Sequence, residues 1–74
     1  MGRMAQILAE RMIRAMRRLG WVLIRQAGSH AVLGKEGHNP ITIPIHSGKT
    51  LKEGTARAIL KQAGVTEEEF FDAY

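Results

Sequence analysis

Trp21-Val22-Leu23-Ile24-Arg25, followed by Gln26-Ala27-Gly28-Ser29 and then His30-Ala31-Val32-Leu33, is the stretch that decides the fold. Its first five residues are β-branched and aromatic enough for a strand. The next four hold the turn chemistry that ends it, and the last four predict a second, shorter strand. A hairpin follows. A histidine opening a strand directly after a Gly-Ser turn can be held by the sheet and still face solvent, which makes His30 the candidate catalytic group.

Downstream, Gly34-Lys35-Glu36-Gly37-His38-Asn39 is a loop by composition. Ile41-Thr42-Ile43-Pro44-Ile45 then alternates with period two, but Pro44 has no N–H to give to a ladder. The third strand is therefore expected to be an edge strand, or to end at Pro44. His46 to Thr50 reads as a loop. Thr55 can cap a helix over Ala56 to Ala63, with Ile59 and Leu60 facing inward and Gly64 closing it. Thr66 and Glu69 have the spacing of a capping box for a short terminal helix carrying Phe70 and Phe71.

Upstream, Met4, Ile7, Leu8, Met12, Ala15, Met16 and Leu19 recur at helical spacing, with Arg11, Arg14, Arg17 and Arg18 largely on the opposite face and Gly20 placed as a stop. Those arginines read first as a solvated face, and second as a stripe that tracks phosphates. The methionines suit adaptable core filling.

The order is helix, three antiparallel strands, helix, with a helical appendix. A three-stranded sheet with two apolar helix stripes covers one face and leaves the other open. The expectation is an α+β fold, α-β-β-β-α with both helices on one face, like the double-stranded-RNA-binding domains.

The chain has 74 residues and no cysteine. Such a length supports a single core, so residues 1–74 are read as one domain with a shallow site. Without disulfides or thiolate zinc ligands the expected setting is a reducing cytoplasm. No apolar run approaches the roughly 20 residues of a membrane span, and no secretory signal is recognisable. Glu67, Glu68, Glu69 and Asp72 are four of the seven acids, so the rest of the chain sets eleven bases against three acids. That body should attract a polyanion.

Gly20-Trp21-Val22, Arg25, Gly28-Ser29-His30, Ile41-Thr42-Ile43-Pro44, Leu51, Gly54-Thr55 and Ile59-Leu60-Lys61-Gln62-Ala63-Gly64-Val65 together resemble the HicA toxin family of type II toxin-antitoxin systems. The resemblance runs from about Leu19 to Val65 with the family's order and spacing, apart from one extra residue after Pro44. It implies a small ribonuclease that cleaves messenger RNA and is neutralised by a HicB-type antitoxin. The family's essential histidine falls on His30, and its glycine on Gly28, where a tight turn is required. Two positions depart from the family pattern. Leu33 and Lys35 stand where relatives carry an aromatic residue and then a histidine or similar polar residue, so part of that polar chemistry is absent. The first helix is also longer and richer in arginine than is usual.

The chemistry suits a lone imidazole. RNA carries its own nucleophile, the ribose 2′-hydroxyl, so an enzyme need only remove that proton, align the phosphate and stabilise developing charge. An imidazole, with an ordinary pKa of about 6.5, serves as such a base at neutral pH and is worth roughly 10²–10⁴ in rate. No metal or other cofactor is required. Without the resemblance, a lone strand histidine reads first as a structural residue.

Other candidates are secondary. Arg25 is placed to hold RNA backbone or to stabilise a charged phosphorane, with Gly28 and Ser29 as turn contacts. Lys49 and Lys52 approach a helix N-terminus whose N–H groups, near Gly54 and Thr55, suit a phosphate. His46 is a possible general acid or a loop cap, the structural reading being the stronger, and His38 belongs to a solvent-exposed loop. Trp21 reads as core rather than as a base-stacking platform. Histidines at 30, 38 and 46 fit no helical or ribbon zinc spacing. Gly48-Lys49-Thr50 is no phosphate loop, because the glycine that motif needs upstream is Ile43. Two other classes stay open. A non-catalytic binder of structured RNA would keep its affinity in His30→Ala and never cleave. A module that binds only protein would show weak, salt-sensitive RNA association.

Overall fold

A computed structural model describes residues 3–46 and 49–74; Ser47 and Gly48, within the loop expected at residues 46–50, lie outside the described residues. A 3-10 turn at Arg3–Gln6 precedes α1 (Ala9–Arg18), β1 (Val22–Ala27), β2 (His30–Gly34), β3 (Ile41–Pro44), α2 (Glu53–Ala63) and α3 (Glu67–Ala73). The three strands form one antiparallel sheet in the order β1-β2-β3. The architecture is the expected α+β arrangement, consistent with a double-stranded-RNA-binding-domain-like fold.

The first helix starts later than the apolar periodicity predicts. Leu8 is extended (φ −83°, ψ 134°) and bridges to Thr50, while the Leu51 N–H donates to the Ile7 carbonyl at 2.7 Å. That strand-like bridge takes the backbone a continuous helix would need, so Met4 enters the core from the 3-10 turn instead. From Ala9 onward the pattern holds: Ala9, Met12, Ala15 and Met16 are buried and the four arginines are exposed.

Gly20 ends α1 in the left-handed region (φ 101°), its N–H bonded to Arg17 O at 3.1 Å and the Trp21 N–H to Met16 O at 3.0 Å. This closure, which favours glycine, drops Trp21 into the core at 2% exposure. Trp21 is therefore core, as expected, but not strand. β1 begins at Val22 and runs on to Ala27, because the hairpin pairs Ala27 with His30 and leaves only Gly28 and Ser29 as loop. Gly28 has φ 58° and Ser29 a negative φ, the pattern of a two-residue turn with glycine first. β3 stops at Pro44 on the sheet's edge.

The second helix also departs from its expected cap. Lys52 (φ −62°, ψ 141°), not Thr55, is the N-cap residue, and no side chain caps the helix. The Ala56 N–H reaches Lys52 O at 3.0 Å, and the Glu53–Arg57 pair at 2.9 Å supports the added turn. Gly64 closes α2 as predicted, and Thr66 with Glu69 forms the capping box of α3. Hydrogen bonding to the Thr66 backbone and hydroxyl holds the Glu69 carboxyl below its ordinary value.

The core lies between the helices and one face of the sheet. Ala31 and Leu33 of β2 and Ile41 and Ile43 of β3 meet Met12, Met16, Ala56, Ile59, Leu60 and Phe70 in one cluster. Each large aliphatic side chain buried there contributes on the order of 1.5–3 kcal/mol. α3 docks on α1: the Leu8 N–H donates to the Tyr74 hydroxyl at 3.3 Å, and the Arg3 and Arg11 guanidiniums lie 3.8 and 4.0 Å from the centres of the Phe71 and Tyr74 rings.

Candidate functional site

The strand period decides which residues share the open face. With Ala31, Leu33, Ile41 and Ile43 buried, His30, Val32 and Gly34 of β2 and Thr42 and Pro44 of β3 point the other way. Register partners share a face, so Ala27, His30 and Pro44 form one row across the sheet, and Arg25, Val32 and Thr42 form the next.

Arg25 reaches that face only through an irregularity. The pairing steps from Leu23↔Leu33 to Arg25↔Val32, so Ile24 is the extra residue of a bulge. Strict alternation would put Arg25 on the same side as Leu23, towards the core. Ile24 lies over Gly34, where a Cβ would collide with its Cδ1 atom, so the missing side chain at Gly34 makes room for the bulge.

His30 is exposed, and no side-chain hydrogen bond engages it among the described residues. Its row neighbours, Ala27 and Pro44, have no polar side-chain atoms that would occupy the imidazole. The backbone is tied down on both sides: His30 pairs with Ala27 and Pro44, and the Ile45 N–H donates to Ser29 O at 2.6 Å. The result is a fixed main chain bearing an open ring. Arg25 lies on the neighbouring strand one row along, a diagonal neighbour at about 7–8 Å, within the reach of an extended arginine.

Pro44 connects this face to a second feature. Together with His46, Lys49, Thr50, Leu51, Lys52 and Thr55 it lines a groove of about 410 Å³ at the start of α2. The bridge between Leu8 and Thr50 and the Leu51–Ile7 hydrogen bond hold Lys49 to Lys52 there. Sequence-predicted residues thus fall into two adjoining groups. Arg25, Gly28, Ser29 and His30 sit on the hairpin, and His46, Lys49 and Lys52 sit in the groove. Lys49 and Lys52 are exposed, as is His46.

The two departures from the family pattern have structural explanations. Leu33 is fully buried, so its side chain faces the core rather than His30. Lys35 donates to the Leu19 carbonyl at 3.0 Å, completing the end of α1. His38 is exposed in its loop, with its ring 5.4 Å from that of Trp21.

Three features of the face were not read from the sequence. Thr42 stands in the row beside His30, Pro44 joins sheet to groove, and Val22 and Ile24 are 63% and 58% exposed. The apolar run Val22-Leu23-Ile24 carries the one signal for the last. Three consecutive apolar residues cannot all face one core in a strand with an open side.

Among the described residues no three His, Asp or Glu side chains form a group able to hold a metal ion, and no helix is long and apolar enough to cross a membrane. Compared with known proteins, residues 9–65 match the family model for the HicA toxin of bacterial toxin-antitoxin systems. The match includes all of α1, the sheet and α2, and ends before α3. No curated protein matches the chain.

Proposed function

The chain belongs to the HicA toxin family of bacterial toxin-antitoxin systems, and from that premise we propose that it is a metal-independent endoribonuclease of messenger RNA with His30 as its general base. Membership makes it a toxin with an antitoxin as partner. The observation that carries the finer reading is the exposed, unengaged imidazole of His30 on a pinned backbone, with Arg25 one row away on the same open face.

His30 takes the proton of a ribose 2′-hydroxyl, and the freed oxygen attacks the adjacent phosphorus. The bond from phosphorus to the 5′-oxygen breaks, and that oxygen leaves with a proton drawn from solvent or from a second acid. The products are a 2′,3′-cyclic phosphate and a 5′-hydroxyl. Base catalysis of this kind is worth roughly 10²–10⁴ in rate, and a guanidinium facing the phosphorane adds electrostatic stabilisation. Arg25 fills that role. Lys49 and Lys52 hold neighbouring phosphates in the groove joined to the His30 row by Pro44, and His46 there is the accessory candidate for the acid.

A HicB-type antitoxin that silences such an enzyme must cover His30. Exposed Val22 and Ile24, on the same face, offer it an apolar anchor. The test is chemical. A 2′-deoxy substitution at the scissile nucleotide should block cleavage, cyclic phosphate ends should appear on the products, and chelation by EDTA should leave the rate unchanged. Cleavage of the 2′-deoxy substrate, or loss of activity in EDTA, would refute the mechanism.

A further inference from the structure

The outer face of α1 carries more positive charge than the fold uses. Arg11 donates to Tyr74 O at 3.0 Å and Arg18 to Ala73 O at 2.8 Å, so both are spent on docking α3. Arg14 and Arg17 have neither a hydrogen-bond nor an ion-pair partner among the described residues. Together with Glu10, Ile13 and Arg18 they line a groove of about 460 Å³. Like charges three and four residues apart destabilise a helix. The helix dipole offsets that cost for Arg17 and Arg18 in the last turn, and Glu10, four residues before Arg14, offsets part of it there, so three arginines share one acid along this groove.

We propose that Arg14 and Arg17 form a second RNA-backbone contact, on the side of the domain opposite His30. The placement follows from α1 burying Ala9, Met12, Ala15 and Met16 towards the covered face of the sheet, which turns Arg14 and Arg17 outward. Planar guanidinium forks suit phosphate oxygens. A protein partner fits the groove less well, because stable interfaces centre on buried apolar or aromatic anchors and Ile13 is the one apolar residue lining it. The molecule measures 18 Å along its shortest axis, so a strand touching both faces must run around it. A dinucleotide therefore cannot bridge the two faces, and a long RNA can.

The inference rests on RNA being the ligand, and its test is independent of cleavage. The full chain and its Arg14→Gln/Arg17→Gln variant, which retains good helix formers, are titrated with a long 2′-O-methyl RNA and with a dinucleotide across a salt series. Loss of two phosphate contacts should weaken long-RNA binding about ten- to a hundredfold at low salt. It should also make the slope of log K against log salt shallower by about 1.4–1.8. The KM for dinucleotide cleavage, which reads the His30 face alone, should stay the same, and on long cleavable RNA KM should rise at constant kcat. An unchanged slope for long RNA would overturn the inference, as would equal losses for long and short RNA. So would a variant that loses binding to poly-glutamate but keeps its RNA affinity, which would assign the groove to an acidic protein. A slope difference between the two proteins, with no cleavage by the wild type, would sink the nuclease reading alone.

Discussion

Arg25 stands opposite Val32 in the β1–β2 ladder, one row from His30, because the bulge at Ile24 turns it from the core side of the sheet to the open side. One inserted residue thus decides whether the domain has a cation beside its exposed imidazole. Removing that cation tests the arrangement. Arg25→Gln should lower the single-turnover cleavage rate about ten- to a hundredfold while leaving the melting temperature within a few degrees, since the side chain is exposed. Arg25→Lys should recover only part of the loss, because an ammonium cannot present two parallel donors to a phosphate.

Gly28 sets the turn that aims His30. Its φ of 58° lies where side chains are disfavoured, yet a Cβ built there would touch nothing within 4 Å. Gly28→Ala should therefore act through backbone conformation alone, at a cost of roughly 1–2 kcal/mol. For a domain of this size that is a fall of about 4–8 °C in Tm per kcal/mol. Calorimetry reads the stability, and the cleavage rate should fall with it as the hairpin's first pair, Ala27 and His30, loosens.

The capping box of α3 gives a pH dependence with a definite sign. The Glu69 carboxyl is held low by the backbone and hydroxyl of Thr66, so it binds a proton less readily folded than unfolded. Its contribution is fully present above the ordinary glutamate value and is lost as pH falls through the lower folded value. Thermal melts between neutral pH and about pH 3 should show this loss in the wild type; Glu69→Gln should remove it, and Thr66→Ala should only diminish it, because the Thr66 N–H, the larger contributor, stays in place. Thr66→Ala should lower stability by about 1 kcal/mol at neutral pH, and dinucleotide cleavage at His30 should be unaffected.

Most of the architecture is legible in the sequence because period and punctuation agree there. Gly20, Gly28, Gly64 and the Thr66–Glu69 pair sit where chain reversal or capping requires them, and the alternation of β3 breaks at Pro44 as its missing N–H dictates. The misreadings arise where distant backbone competes with local preference. Leu8 belongs by periodicity to the first helix, but its bridge to Thr50, 42 residues on, holds it extended. Thr55 is a good cap residue, and the helix passes over it because Glu53 and Arg57 support an earlier start. For the site, His30 and its turn follow from local chemistry. The bulge that moves Arg25 and exposes Ile24 depends on pairing with a neighbouring strand and on room at Gly34, which local sequence does not encode.

The most direct measurement is the single-turnover cleavage rate of His30→Ala on a defined messenger RNA, taken beside its circular dichroism and melting temperature. A fall of at least about a hundredfold, with fold and Tm retained, is the predicted result. Cleavage at the wild-type rate by a folded His30→Ala protein would contradict the assignment of His30 as the base.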